Sequence, residues 1–433
     1  SLQQCTPRHT TTEFTLNRST LIGLSTIQQC RIETKNFKIC QISIHPSLIK
    51  HVKIIYILIL SLLYSVNSIS QSAPILSNSA EISLLTCSPG AELYSLFGHS
   101  AMRVQDPSQD IDLVFNYGTF SFDEDFYFNF TMGRLNYRLA VSSMENFLWS
   151  YEYEGRGVIE QVLDLDSIQK QRVMEYLHWN YQPENRYYLY DFFYDNCSSI
   201  LRDVLETALD GQVLYKDLTK KGDPSFRNMI DEYLVYHQWG DFGIDLGLGL
   251  PCDVKPRYIE YMFLPNELSA AFENATLENK PLVKENRSLL ETQGLTMSNS
   301  LTNPIPLFWI LFGLVAILSA IGYRKQKLFI GLDIGLFIIY GAVGALIAFL
   351  WFITDHSATA ENLNILWAWP IHLIAIPFLF NPRFKKMYWT VYGSLLILTL
   401  IAFPFLPQML HVATIPLMCI MIVRAGINYK LGA

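Results

Sequence analysis

The chain has 433 residues, a formal net charge of −7 and a composition that is half hydrophobic. That length supports more than one domain and a sizeable core. The acidic balance, with no basic tract beside an aromatic face, argues against nucleic acid as a partner.

Residues 1–50 are polar, mildly basic and without periodicity, and they contain no Met. They read as an upstream or disordered extension. A secretory signal peptide follows over 51–70. Lys50, His51 and Lys53 form its basic region, Ile54–Tyr64 its apolar core, and Ser68-Ile69-Ser70 a small-x-small cleavage site before Gln71. A signal set this far in suggests a non-Met start codon near Leu48 or Val52. A genuine extension with an uncleaved anchor is the alternative. Export changes the meaning of the cysteines. Of the seven Cys, the exported part keeps Cys87, Cys197 and Cys252. Either Cys87 pairs with Cys252 and leaves Cys197 reactive, or both stay as buried thiols.

Residues 71–277 read as an α+β domain. Strands are expected at Glu81–Cys87, His99–Val104 and Leu113–Tyr117, separated by Ser88-Pro89-Gly90 and Asp106-Pro107 and closed by Gly118. Adjacent strands with polar turns suggest a hairpin or meander. Thirteen aromatic residues crowd residues 115–153, a density that suits a β-rich core. A membrane-facing or acyl-lining role for part of them is the second reading. Asp166–Trp179 is expected to be a helix with Ile168, Val173 and Leu177 facing inward. The run Tyr187–Leu209 is central. Its aromatic half ends at Asp195-Asn196, then Cys197 opens a helix whose Ile200, Leu201, Val204, Leu205, Ala208 and Leu209 share one face. Asn196 or Asp195 caps it, so Cys197 falls in the first turn. Unpaired N–H groups and the helix dipole there favour thiolate. Pro224–His237 and Leu268–Leu277 suggest further helices. Gly240–Pro251 reads as a loop, and residues 278–303 as a polar linker.

From Pro304 the chain is apolar. Five spans are expected: Pro306–Tyr323, Leu328–Phe352, Leu363–Phe380, Met387–Phe403 and Leu406–Val423. Arg324, Lys325 and Lys327, then Arg383, Lys385 and Lys386, then Arg424 and Lys430 all fall on one side, the cytoplasmic one. That places the exported domain outside and the C-terminus in the cytoplasm, in agreement with the signal peptide.

Cys197 acts as a nucleophile only with a base. His99 is the first candidate, with His178 and His237 as rivals. A thiolate attacks an ester or amide carbonyl, forms a thioester, and a second nucleophile resolves it. A third polar group holds the imidazole. Asn116 is the choice, on the strand after that of His99, with Asp195 or Asn196 in reserve. No metal-ligand spacing, phosphate-cradling loop or cofactor motif is present. Arg103, Arg134, Arg138 and Arg186 suit structural pairing better than phosphate binding. The outer loop with Asp355, His356, Glu361 and Asn362 is either a wet loop or a headgroup contact. Among Asp333, His372 and His411, in or near the spans, Asp333 is the first to test.

Four segments carry a resemblance. They are Leu84–Val104, Phe115–Phe120, Tyr190–Ser198 and Glu260–Pro265, the third reading Tyr-Asp-Phe-Phe-Tyr-Asp-Asn-Cys-Ser. Together they resemble the Lnb family over about residues 80–277, and the five-span tail resembles that family's membrane domain. The resemblance implies a lipoprotein N-acyltransferase of the bacterial inner membrane, with its catalytic domain in the periplasm. Its partners would be a phospholipid acyl donor and a lipoprotein acceptor. His before Cys also resembles permuted papain-like (NlpC/P60-like) enzymes. Cys197 matches the family nucleophile and His99 its base. Tyr117, Tyr190, Asn196, Asp355 and His356 are the substrate-binding residues expected beside them. The alternative is a membrane-anchored thiol hydrolase, a cell-wall peptidase or phospholipase using the same pair. A non-enzymatic membrane scaffold is the third reading.

Overall fold

The computed structural model describes residues 72–120, 124–220, 222–292 and 302–431. The extension and signal peptide expected over 1–70 lie outside the described residues, as does 293–301 of the expected linker.

A seven-stranded antiparallel sheet anchors the first half. Its strands are β1 (Glu81–Cys87), β2 (His99–Asp106), β3 (Ile111–Thr119), β4 (Asn136–Ser143), β5 (Val158–Leu163), β6 (Tyr187–Leu189) and β10 (Val283–Leu290). The order β10-β5-β1-β2-β3-β4-β6 contains the meander expected for the first three strands. Alternation sorts their side chains. Ile82, Leu84, Met102, Val104, Phe115 and Tyr117 enter the main core on one face. Leu85, Cys87, Ala101 and Val114 enter a smaller core on the other. Both faces are covered, so β1 is buried almost throughout rather than half wet.

Helices follow in chain order: α1 (Phe126–Met132), α2 (Met144–Tyr153), α3 (Ser167–Tyr181), α4 (Cys197–Ala208), α5 (Phe226–Leu234), α6 (Gln238–Gly247) and α7 (Pro265–Asn274). Helix α2 packs Met144, Phe147 and Tyr151 on the smaller core. Helices α3, α4 and α7 supply Val173, Leu177, Leu201, Leu205, Leu268 and Phe272 to the main core. Ile168, expected to face inward on α3, is 67% exposed, because Asp166 caps the helix about two turns before its buried stripe begins at Val173. A small second sheet joins β7 (Val213–Leu214), β8 (Thr276–Leu277) and β9 (Lys280–Pro281).

Two stretches of this half that read as irregular from the sequence are ordered elements. Part of the expected linker is strand β10, paired to β5 at the sheet edge. Its polar side chains suit an edge, where Arg287 reaches Glu81 and Glu160. The glycine-rich Gly240–Pro251 contains helix α6, held by contacts that local propensity does not reveal.

The second half contains α8 (Pro304–Arg324), α9 (Ile330–Phe352), α10 (Ile371–Ala375), α11 (Pro382–Ala402) and α12 (Thr414–Leu431). Four helices are long and apolar enough to cross a membrane, and a bent pair brings the count to five if it is one span. That pair, Ser357–Leu366 with Ile371–Phe380, bends by 45° and replaces the continuous third span expected over Leu363–Phe380. Pro370 stands at the break, where it cannot extend the preceding helix. The last span starts at Thr414 rather than Leu406, since Pro404 and Pro407 interrupt the chain. Asp333 is fully used: Arg424 Nε and Nη2 donate to its carboxylate at 2.7 and 3.0 Å, and Asn428 at 3.0 Å. Arg424 also donates to Ser319 on α8. The buried cluster therefore staples α8, α9 and α12 together.

The two halves are joined by polar locks. Asn362 donates to the carbonyls of Leu246 and Gly247, Asn364 to that of Asp245, and Gln408 to that of Leu248. Gly249 is required at this seam: a Cβ there would lie 1.7 Å from the Ala360 carbonyl oxygen.

Candidate functional site

Helix α4 is started by its cap. The Asn196 Oδ1 accepts from the N–H groups of Ser198 and Ser199, and the Asn196 N–H donates back to Ser199 Oγ. The Asn196 amide also donates to the carbonyls of Phe192 and Phe263. These bonds leave Cys197 as the first helical residue, with its N–H outside the capping box. Ser198 Oγ meets Ser100 Oγ at 3.0 Å, which pins the first turn of α4 to β2.

His99 opens β2 directly after Gly98, whose φ of +79° turns the chain into the strand. Its imidazole lies beside the Cys197 thiol, close enough for each group to shift the proton affinity of the other. Nε2–H donates to Asn116 Oδ1 at 2.6 Å, so Nδ1 is left to face the sulfur. Asn116 lies diagonally across the β2–β3 pair, in which Met102 opposes Phe115. A register shift between Asn116 and Thr119 in the β3–β4 pairing bends β3 at this point. Gly118 borders the site at φ +91°, a backbone conformation that favours glycine; a Cβ there would make ordinary contacts of 3.9 Å with Cys197 Cβ and His99 Cε1.

The electrostatics favour an ion pair. Burial raises the Cys197 pKa, but the His99 charge, its hydrogen bond, the Ser100 N–H and the Ser198 hydroxyl bring it below the ordinary thiol value. Burial lowers the His99 pKa, and the charge and hydrogen bond of Cys197, with Asn116 behind, raise it above the ordinary value. Cys87 and Cys252 differ. Both are free and buried, with no disulfide between them, and burial pushes each thiol up to about 12.

The other expected residues divide. Tyr190 is at the site, its ring centroid 4.6 Å from that of Tyr137. Its phenol is pushed up by burial first and then by the charge of Cys197. Asn196 is the cap, with its amide committed to backbone groups. Tyr117 is a core residue, 1% exposed, whose hydroxyl donates to Asn180. Asp355 pairs with Arg134 at 2.8 Å, and His356 Nε2 meets the Phe130 carbonyl at 3.1 Å. These two hold the loop after α9 against α1 and the turn that follows it. Of the rival bases, His178 bonds Gln182 and His237 precedes α6. Asp195 bridges back to Asp191. Arg103 is paired with Asp112 and Glu160.

The sequence reading missed three features. Ser100 and Ser198 bond each other across α4 and β2, although both flank the two motif residues. Ser357, in the outer loop, donates to Asp191 at 3.1 Å and ties that loop to the turn before Cys197. Asp241, Asp245 and His411 bring ligand-type atoms within 4.8 Å of one another, though Arg227 already bonds Asp245 and His411 pairs with Asp241 at 3.3 Å. A cleft of about 890 Å³ beside α4, lined by Tyr194, Arg202, Tyr215 and Glu260, includes neither Cys197 nor His99.

Two family models match the sequence. The Lnb N-terminal periplasmic domain matches residues 73–231, which include Cys197, His99 and Asn116. The Lnb transmembrane domain matches residues 296–432. No curated protein and no solved structure matches the chain.

Proposed function

From the premise that the chain belongs to the Lnb family of lipoprotein N-acyltransferases, we propose that it moves an acyl chain from phospholipid to the N-terminal Cys of lipoproteins through a thioester on Cys197. A periplasmic domain joined to a transmembrane domain makes it an inner-membrane protein with its N-terminal domain in the periplasm. The clusters at Arg324–Lys327 and Arg383–Lys386, with Lys430, support a C-terminus in the cytoplasm.

The observation that carries the reading is the alignment of Cys197, His99 and Asn116 at a helix N-terminus. The thiolate attacks the ester carbonyl, the C–S bond forms, and the C–O bond breaks. The departing alkoxide takes its proton from the His99 imidazolium. The lipoprotein amine then attacks the thioester and gives a proton to His99. The C–N bond forms, the C–S bond breaks, and the thiolate leaves beside a recharged imidazolium. This reading assigns the developing oxyanion to the Cys197 N–H at the helix start and to the Ser100 N–H, which bonds the sulfur. The amide is more stable than the ester, so transfer runs downhill. A permuted papain-like arrangement belongs to this reading, because a Cys-bearing helix meets a sheet whose His strand comes earlier in the chain.

The test uses the purified full chain in phospholipid vesicles. With lipid alone, an acyl adduct is expected on Cys197 by intact mass and peptide mapping. Adding a diacylglyceryl lipopeptide with a free amine should convert the adduct to an amide. His99→Ala should slow adduct formation by roughly 10²–10⁴-fold. Amide formation by Cys197→Ala at the wild-type rate would overturn the mechanism. Free fatty acid with no amide would favour hydrolysis.

A further inference from the structure

Helix α1 is unusual among the described helices. Its sequence is Phe-Tyr-Phe-Asn-Phe-Thr-Met, and none of its residues is buried. Tyr127 is 74% exposed, Phe128 62% and Phe130 48%. Facing water, such a surface has no physical rationale, since each ring forfeits the gain of burial. Its neighbours supply one. The Met132 carbonyl accepts from the Asp355 N–H at 2.8 Å, and the Phe130 carbonyl meets His356. Asp355 follows α9 by only three residues, so α1 sits at the outer end of a span. Phe352 and Ile353 at that end are also exposed, at 67% and 59%. The rings of α1 therefore continue a lipid-facing surface, at the depth where aromatic side chains gather in membrane proteins.

A ring path runs inward from there. Phe126 stacks on Phe120 at 5.3 Å, and Phe120 on Tyr137 at 5.1 Å. Tyr137 meets Tyr190, the ring beside Cys197. All four are half-buried, so the path is walled yet reachable.

We propose that α1 dips into the outer leaflet and that the rings from Phe128 and Phe130 to Tyr190 form the track on which a phospholipid acyl chain reaches Cys197. The acyl chain is favoured over a peptide because the track is apolar and begins on a membrane-facing surface. The role of Cys197 rests on the acyl-transfer reading above, whereas lipid contact at α1 does not.

Two measurements separate these claims. First, full-length Cys197→Ala in vesicles is irradiated with a phospholipid carrying a diazirine in its acyl chain. Label is expected to concentrate in residues 124–138, to fall with unlabelled phospholipid, and to drop about tenfold in the added pair Phe128→Ser/Phe130→Ser. Label spread evenly over the spans, with no enrichment in 124–138, overturns the proposal. Second, the same pair is placed in the wild-type background. Adduct formation from long-chain phospholipid should fall at least about tenfold, while that from a water-soluble butyryl ester stays within about twofold. Equal loss with both donors, or no loss with either, overturns the track. Concentrated label with no Cys197 adduct from any donor would sink the thioester reading and leave the lipid surface standing.

Discussion

Asn116→Ala removes the acceptor that His99 Nε2–H reaches at 2.6 Å. A hydrogen bond to a charged group contributes about 1.5–3 kcal/mol. His99 and Asn116 are half-buried, so water replaces part of that, leaving a loss of about 1–2 kcal/mol. The imidazolium is then less favoured, and with it the thiolate. The sign follows from the two shifts. Cys197 is drawn below its ordinary value and His99 above its own, so the two shifts run toward each other and both favour the ion pair. Losing Asn116 lets the His99 value fall and, with less charge beside the sulfur, lets that of Cys197 rise. Iodoacetamide alkylation of Cys197, followed against pH by peptide mapping, should show its inflection move up toward the ordinary thiol value. Acyl-adduct formation at neutral pH should slow by about 5–30-fold. Asn116→Asp keeps an acceptor at the same place and should leave the inflection low. An Asn116→Ala profile that overlays the wild type, with adduct formation within twofold, would refute the role assigned to Asn116.

Other changes test the frame around the site. Asn196→Ala removes the cap and strands the Phe263 carbonyl, and should destabilise the protein by about 1–3 kcal/mol, read as a lower thermal midpoint with weaker thiol reactivity. Arg424→Met leaves Asp333 buried without its partner and should cost about 3–5 kcal/mol in detergent unfolding, whereas adding Asp333→Leu should recover most of it. Gly249→Ala drives a methyl into Ala360 and should cost on the order of 1–3 kcal/mol, with faster proteolysis between α6 and the spans. Gly243→Ala, which meets nothing within 4 Å, is its neutral control.

The sequence was most legible where a local pattern and a tertiary need agree. Strands β1 to β3 alternate and bury what they alternate, and α4 carries both a cap and an apolar stripe. The His99–Asn116 contact followed from placing them on successive strands. Legibility failed where distant partners decide. Four glycines weigh against a helix at Gly240–Pro251, yet α6 forms because Asn362, Asn364 and Gln408 bond its C-terminal carbonyls and those just beyond. Hydropathy averages over Asn364, so it draws one span where the chain must break to use that side chain. A polar edge strand resembles a linker, because nothing in β10 itself reveals that β5 lies beside it.

The bonds around the outer loop explain why an enzyme for membrane-bound substrates would need its two halves fused this firmly. Ser357 donates to Asp191, Asp191 bridges to Asp195, and Asn196 then caps the helix that begins at Cys197. The loop that follows α9 therefore grips the turn that sets the position of the thiol. On the other side, the Ala358 carbonyl accepts from the Gly249 N–H and from the Cys252 thiol, which fixes the same loop to the turn just after α6. Each bond is worth only about 0.5–1.5 kcal/mol. On the proposed acyl-transfer reading their value is geometric, because an acyl chain held in a leaflet would not rise to meet a mobile sulfur, and small misplacements of a reacting atom cost large factors in rate. The depth of Cys197 relative to the spans is thus set by hydrogen bonds to backbone and short side chains, groups with little freedom to drift.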